Sequence, residues 1–252
     1  MPDAPQDELA QKMIVLNKRL MRSNRDLEQF AYAASHDLQA PLRAVTQFIS
    51  LLKEEYFDVD PRPTLDDISD VYMSHITRGA ERMQSLIEGL LMFSRIDRQS
   101  STWETVRASD LVRDAMLNLR YEIEETNASI VIESLPKLFC SRQTMVILMQ
   151  NLLHNAMRFR KDGEPPNIRV WSETEDGKHK ILVSDNGIGF DQSFEPRIYG
   201  MFQRLNSRID GTGMGLAICR KIVEHHCGKI GAESKEGAGA TFWFTIPVHE
   251  QG

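Results

Sequence analysis

No apolar run in the 252-residue chain approaches the roughly 20 residues that cross a bilayer. The opening MPDAPQDELAQK has no signal-peptide pattern, so a cytoplasmic location is expected. Cysteine is scarce: Cys140, Cys219 and Cys227 are scattered, with no CxxC pair, which argues for buried reduced thiols against a disulfide framework or a thiolate metal site. Basic runs are missing as well, and a net charge of -6 argues against nucleic acid or an anionic membrane as partner. Neither an internal repeat nor a low-complexity tract is present. What remains, 41% hydrophobic and 26% charged, is the composition of a soluble globular protein with one large domain or two modest ones.

Two long apolar seams occupy the first part. Leu9, Met13, Leu16, Leu20, Leu27 and Phe30, with Ser23 as the one polar interruption, recur at alternating spacings of four and three, a heptad pattern, and Leu38, Leu42, Val45, Ile49, Leu52 and Tyr56 form a second such run. FDVDPRP (57–63) breaks the pattern, and a second seam runs from Leu65 to Phe93. Two such helices joined by a proline-rich turn predict an antiparallel hairpin, which cannot bury both seams alone, so a homodimeric four-helix bundle is expected. Within the first helix, SHDLQAPLR (35–43) sets a histidine beside a carboxylate. His36 falls about 200° around the helix from Ala34 and Leu38, so its imidazole should face solvent. Pro41 lacks the N–H for the carbonyl of Asp37 and predicts a bend one turn later. A plain surface histidine on a coiled coil is the alternative reading of this fragment.

Polar residues cluster over 98–104 (RQSSTWE), which reads as a linker. Beyond it, ASDLVRDAMLNLRYEIEE predicts an amphipathic helix capped by Ser109 or Asp110, ASIVIES a strand, and 141–160 another helix. Further strands are expected at NIRVWSETE, KHKILVSD, GKIGAES and ATFWFTIPV. Strand pairs mixed with helices imply an α+β layer of helices on a largely antiparallel sheet.

Eleven of the 15 glycines lie between Gly177 and Gly239. DNGIGF (185–190) ends a strand with a carboxylate and two glycines, and GTGMGL (211–216) opens a helix, where exposed amides at the positive end of the dipole suit a polyphosphate. GxGxxG is absent and the lysine of a Walker loop is missing. Asn151 and Asn155 in NLLHNAMRF (151–159) share a helix face and could offer hard carbonyl oxygens to Mg²⁺, although helix capping or surface polarity would explain an isolated pair.

In this order the segments resemble the sensor histidine kinases of two-component systems: SHDLQAPLR the H-box, NLLHNAMRF the N-box, DNGIGF the G1 box, MFQRL (201–205) the F-box and GTGMGL the G2 box, with GAGATFWF (237–244) similar to the last glycine motif. The wording of SHDLQ and MFQRL is closest to the phytochrome-like branch. The resemblance implies a coiled-coil helix (1–34), a dimerisation and histidine phosphotransfer hairpin (35–97), a linker (98–104) and an α/β-sandwich Bergerat-fold ATP-binding domain (105–248). It implies a protein histidine kinase using ATP and Mg²⁺, with His36 the nucleophile and Asp37 holding its tautomer and accepting its proton. Asn155 is expected to bind Mg²⁺, Asn151 to support it or the phosphates, Arg158 to neutralise phosphate charge and Asp185 to accept from the adenine amino group. Gly187, Gly189, Gly211, Gly213 and Gly215 are expected to shape the pocket, with Thr241 near the adenine. The remaining histidines, His154 among them, read as surface or structural.

The implied partners are a second copy of the chain, a response regulator receiver domain, and an upstream sensor domain or protein acting through the N-terminal helix. Residues 1–35 are too few for a sensory domain. Three departures stand out: Ala40 where relatives with phosphatase activity carry Thr or Asn, a short NSRID (206–210) between MFQRL and GTGMGL, and Cys140-Ser141 in place of Gly-Asp. Two other readings compete: a nucleotide-binding scaffold that transfers nothing, and an ATPase sharing the nucleotide fold. The latter needs a glutamate base where this chain has Asn151.

Overall fold

In a computed structural model of the chain, residues 38, 41–54, 67–96, 102–205 and 211–248 are described. His36, Asp37 and Ala40 lie outside them, as do the 1–34 coiled-coil segment, the backbone preceding Pro41 where a bend is expected, the 57–63 turn, residues 98–101 and NSRID. The chain divides into two compact units, Met1–Leu86 and Ile87–Gly252, so the boundary falls inside a helix rather than at 98–104.

In the first unit, helix α1 (41–54) meets the first part of α2 (Asp67–Ile96). A Cβ at Gly79 would sit 2.6 Å from a Val45 methyl and 3.4 Å from the Pro41 carbonyl oxygen, so glycine lets the helices close there. One turn along, Phe48 stacks on His75 at 4.4 Å and lies 5.8 Å from Tyr72. Later residues of α1 thus meet earlier residues of α2, and the pair is antiparallel. The seam divides: Val45 faces α2 and Leu52 is buried, whereas Leu42 and Ile49 are 54% and 50% exposed. Helix α1 therefore presents a second apolar strip that its hairpin partner leaves uncovered.

The second unit is a sheet covered on one face by helices. Strands β2 (Ser129–Ile132), β4 (Asn167–Glu175), β5 (Lys178–Ser184), β7 (Gly239–Pro247) and β6 (Ile230–Lys235) lie side by side in the order β2-β4-β5-β7-β6. Only β2 and β4 run parallel; the other pairings are antiparallel. Alternation along the strands sends Val170, Val183, Phe242 and Ala232, which are in register, to the buried face. Against that face pack α5 (Arg142–Arg158) and α7 (Gly215–His225), and α3 (Ala108–Asn118) lies against α5. Buried residues of α5 recur in pairs, Thr144–Met145, Leu148–Met149, Leu152–Leu153 and Ala156–Met157, the period of a helix with one wide buried face.

Three local expectations are corrected. The linker ends before Trp103, because β1 (Trp103–Arg107) pairs with β3 (Lys137–Ser141), a strand the periodicity gave no sign of. Neither alternates cleanly in burial, and each is a strand because the other is there to pair with. The helix from Ala108 breaks at Leu119 and resumes as α4 (Arg120–Thr126). Neither Ser109 nor Asp110 caps it: Arg107 is the N-cap residue, and Asp110 lies in the first turn, bonded to Arg107 and Arg113 at 3.0 Å each. The Arg107 hydrogen bond, with the nearby positive charge, holds its carboxyl below the usual carboxylate range.

Trp103 rests on His226, ring centres 4.6 Å apart, and His226 joins three elements. Its Nδ1–H donates to the Ile222 carbonyl of α7 at 2.8 Å, while Nε2 accepts from the Ser141 N–H at the start of α5 at 3.1 Å. A ring that both donates and accepts is neutral, and burial, with His225 adjacent, pushes its pKa down. A histidine depressed in the folded state contributes stability that is present above its unfolded pKa, about 6.5, and lost as pH falls through the folded value. The second unit is therefore expected to melt at a lower temperature at pH 5.5 than at 7.5, and His226→Gln, followed by calorimetry at both pH values, should shrink that difference.

Candidate functional site

Helix α5 delivers Asn151, His154, Asn155 and Arg158 to one cavity of about 570 Å³. At 100° per residue, Asn151, Asn155 and Arg158 fall within about 60° of one another, and all three line it. The Nδ2 of Asn151 donates to the Ile147 carbonyl at 2.9 Å, and its Oδ1 lies against Gly215, where a Cβ would come within 2.8 Å. Asn155 makes no side-chain hydrogen bond among the described residues, which leaves its carboxamide oxygen for a ligand. The guanidinium of Arg158 fills the space that a side chain at Gly211 would need.

The carboxylate of Asp185 enters from the end of β5. Its Oδ1 accepts from the Gly187 N–H at 2.8 Å and the Ala240 N–H at 3.3 Å, while Oδ2 accepts nothing among the described residues. Burial pushes its pKa up, and the two backbone donors pull against that shift. The result is an oriented carboxylate with one unused acceptor in a largely apolar cavity, whose wall includes Ile188, Phe190, Leu216 and Phe242.

Backbone contacts join the glycine motifs. The Asp185 N–H donates to the Ala240 carbonyl at 2.9 Å, Ile188 N–H to Phe159 at 2.9 Å and Phe202 N–H to Gly213 at 3.0 Å. MFQRL and GTGMGL therefore touch, as do DNGIGF and the last glycine motif. Gly239 has φ 86°, and a Cβ on it would overlap the Asp185 carbonyl oxygen. Gly239→Ala is expected to destabilise the unit by at least ~2 kcal/mol and lower its Tm by roughly 4–8 °C in a thermal melt.

Helix α7 begins at Gly215 without a side-chain cap, so its first-turn amides lack intrahelical partners at the cavity wall formed by Gly211, Gly213, Gly215 and Leu216. Uncapped amides beside Arg158 suit an anionic polyphosphate; the spare acceptor of Asp185 suits an exocyclic amine; Asn155 suits a hard cation.

Of the residues predicted from sequence, Asn151, Asn155, Arg158, Asp185, Gly189, Gly211, Gly213 and Gly215 line this cavity. His36 and Asp37 lie outside the described residues. Two assignments change. Gly187 is buried and acts indirectly, its N–H orienting Asp185 and its Cα packed on the Phe159 carbonyl. Thr241 is not on the wall: strand alternation turns it to the opposite face of β7 from Ala240 and Phe242, which are. His154, expected to be surface or structural, lines the cavity as well. Helical angle alone would have found it.

A model of the family described as "Histidine kinase-, DNA gyrase B-, and HSP90-like ATPase" matches residues 140–250, and one described as "His Kinase A (phospho-acceptor) domain" matches residues 26–99. Cyanobacterial phytochrome A of Nostoc sp. is 42% identical over 96% of this chain, and phytochrome-like protein Cph1 of Synechocystis sp. is 38% identical over 95%. The chain spans 31% of the length of either relative. Among solved structures, the histidine kinase ThkA in complex with the response regulator protein TrrA has a similar fold, with TM-score 0.61, 21% identity, and coverage of 95% of this chain and 64% of that one.

Proposed function

The chain belongs, by both its domains, to the sensor histidine kinases, and from that premise we propose that it phosphorylates its own His36 from ATP and passes the phosphoryl group to an aspartate of a response regulator. The observation that carries this reading is the convergence of Asn151, Asn155, Arg158, Asp185 and the glycine loops on one cavity. Asp185 Oδ2 accepts from the adenine amino group, and Arg158 and the α7 amides hold the phosphates. Asn155 holds Mg²⁺, which when bound offsets phosphate charge.

A nitrogen of the neutral His36 imidazole attacks the γ-phosphorus, the bond from that phosphorus to the β,γ-bridging oxygen breaks, and ADP leaves. Asp37 holds the ring tautomer and takes the proton released from the other nitrogen. Leu42 and Ile49, exposed in the single chain, supply an apolar strip for a second copy, completing a four-helix bundle. ThkA, captured with a response regulator, supports a receiver domain as acceptor. Among the described residues no helix is long and apolar enough to cross a membrane. The reaction belongs in the cytoplasm, with input from an upstream sensor arriving through the N-terminal helix.

The ATPase reading needs a base at position 151, and Asn151, donating to Ile147, cannot take a proton from water. The test is incubation with γ-labelled ATP and Mg²⁺, then a chase with receiver domains. Acid-labile label that moves to a receiver supports the kinase; nucleotide binding without label selects the scaffold.

A further inference from the structure

Strand β6 lies at the edge of the five-stranded sheet, and a side chain occupies backbone groups on its outer side. The carboxamide of Gln192 accepts from the Ser234 N–H at 2.8 Å and donates to the Ala232 carbonyl at 2.9 Å. A primary amide carries the donor and acceptor of a peptide group, so Gln192 stands where a further strand would pair with β6. Ser234 adds a second tie: its hydroxyl accepts from the Phe190 N–H at 2.8 Å and donates to the Gly239 carbonyl at 3.0 Å. Both ties fasten the segment 188–194, of which Ile188, Gly189, Phe190, Asp191 and Phe194 line the cavity beside Asp185. Gln192 and Ser234 do not line it, and neither belongs to the glycine motifs.

We propose that Gln192 is a positioning residue for the base of the nucleotide: by clamping the 188–194 segment to the edge of β6, it fixes the apolar wall at Phe190 against which the purine lies. The inference rests on this cavity being the nucleotide site, with the base beside Asp185. Backbone contacts set the start of the segment. The Ile188 carbonyl accepts from the Gly237 N–H at 2.7 Å, and a Cβ on Gly189 would overlap the Lys235 carbonyl oxygen. Farther on the segment enters a single 3-10 turn, Gln192–Phe194, and there Gln192 returns it to the sheet. Phe190 lies between these anchors, its ring centre 6.2 Å from that of Phe242. Without the carboxamide the far anchor is gone, so the ligand itself must order the wall and binds less tightly. At a sheet edge the freed Ala232 and Ser234 groups take up water, so the fold itself loses little.

The experiment is calorimetric titration of the whole chain and of Gln192→Ala with ADP and with the β,γ-imido analogue of ATP, each with Mg²⁺, beside amide hydrogen exchange and a thermal melt. In the variant Kd is expected to rise for both nucleotides to the same extent, on the order of fivefold, because both carry the base. Exchange should quicken in peptides covering 188–194 of the empty protein and slow again at saturating nucleotide, with Tm within about 2 °C of wild type. Gln192→Glu keeps the acceptor for Ser234 but turns a second oxygen on the Ala232 carbonyl, so it should weaken both nucleotides at least as far. Unchanged affinity in Gln192→Ala, a loss confined to the triphosphate, wild-type affinity in Gln192→Glu, or exchange quickened throughout the sheet overturns the proposal while leaving nucleotide binding intact. No saturable heat from wild type would remove the cavity's assignment as well.

Discussion

His36→Gln is expected to abolish all acid-labile, base-stable label deposited from γ-labelled ATP, while leaving nucleotide affinity within about twofold of wild type. The first expectation follows from chemistry: a phosphorus–nitrogen bond hydrolyses in acid and survives alkali, and the glutamine amide nitrogen is not nucleophilic. The second follows from position, since every residue of the nucleotide cavity lies between Asn151 and Phe242. Other histidines are poor substitutes. His75 is stacked on Phe48, with its Nδ1 3.3 Å from Arg78. His226 has both nitrogens engaged and is 2% exposed, and His179 meets the Thr174 hydroxyl at 3.0 Å. Label surviving in the variant with the same acid lability would move the acceptor and undo the assignment of His36.

The segments that could be read directly are those in which chemistry is carried by close neighbours in the chain. Asn151, Asn155 and Arg158 are related by helical angle alone, so once α5 is recognised their common face follows. The glycines at 211, 213 and 215 announce a loop that runs close to something, and that something is Arg158, Phe202, Gln203 and Asn151. Long-range pairing was not legible. Whether Thr241 or Ala240 meets the cavity depends on strand parity, which is fixed by the register of Ser184 opposite Thr241 in β7, and a one-residue slip would exchange them. Pairing of β1 with β3 joins Trp103 to Ser141 across the whole of α3 and α4. Asp110 has the spacing of a helix cap, but Arg107 and Arg113 compete for its carboxylate.

The hydrogen bonds around Asp185 make its amide variant unusually informative. In Asp185→Asn the side chain still faces the Gly187 and Ala240 N–H groups, both of which aim at the Oδ1 position. Only a carbonyl oxygen satisfies two donors there, so the amide must place its nitrogen where Oδ2 had been. An NH₂ group then confronts the amino group of adenine, donor against donor, in a half-buried site. Losing the charged hydrogen bond and leaving both donors unsatisfied costs about 3 kcal/mol, on the order of a 100-fold rise in Kd for ATP. Guanine carries a carbonyl oxygen in the corresponding place, so GTP should lose less than ATP, or gain. The same logic fixes a pH dependence: burial pushes this carboxyl's pKa up, and a protonated Asp185 presents an O–H where the amide presents N–H. Wild-type affinity should therefore fall on the acid side as Asp185 takes its proton, a limb absent from Asp185→Asn. Titration of both chains with ATP and GTP across that range checks all of this at once, and an Asp185→Asn chain that kept wild-type affinity and adenine preference would detach the carboxylate from base recognition.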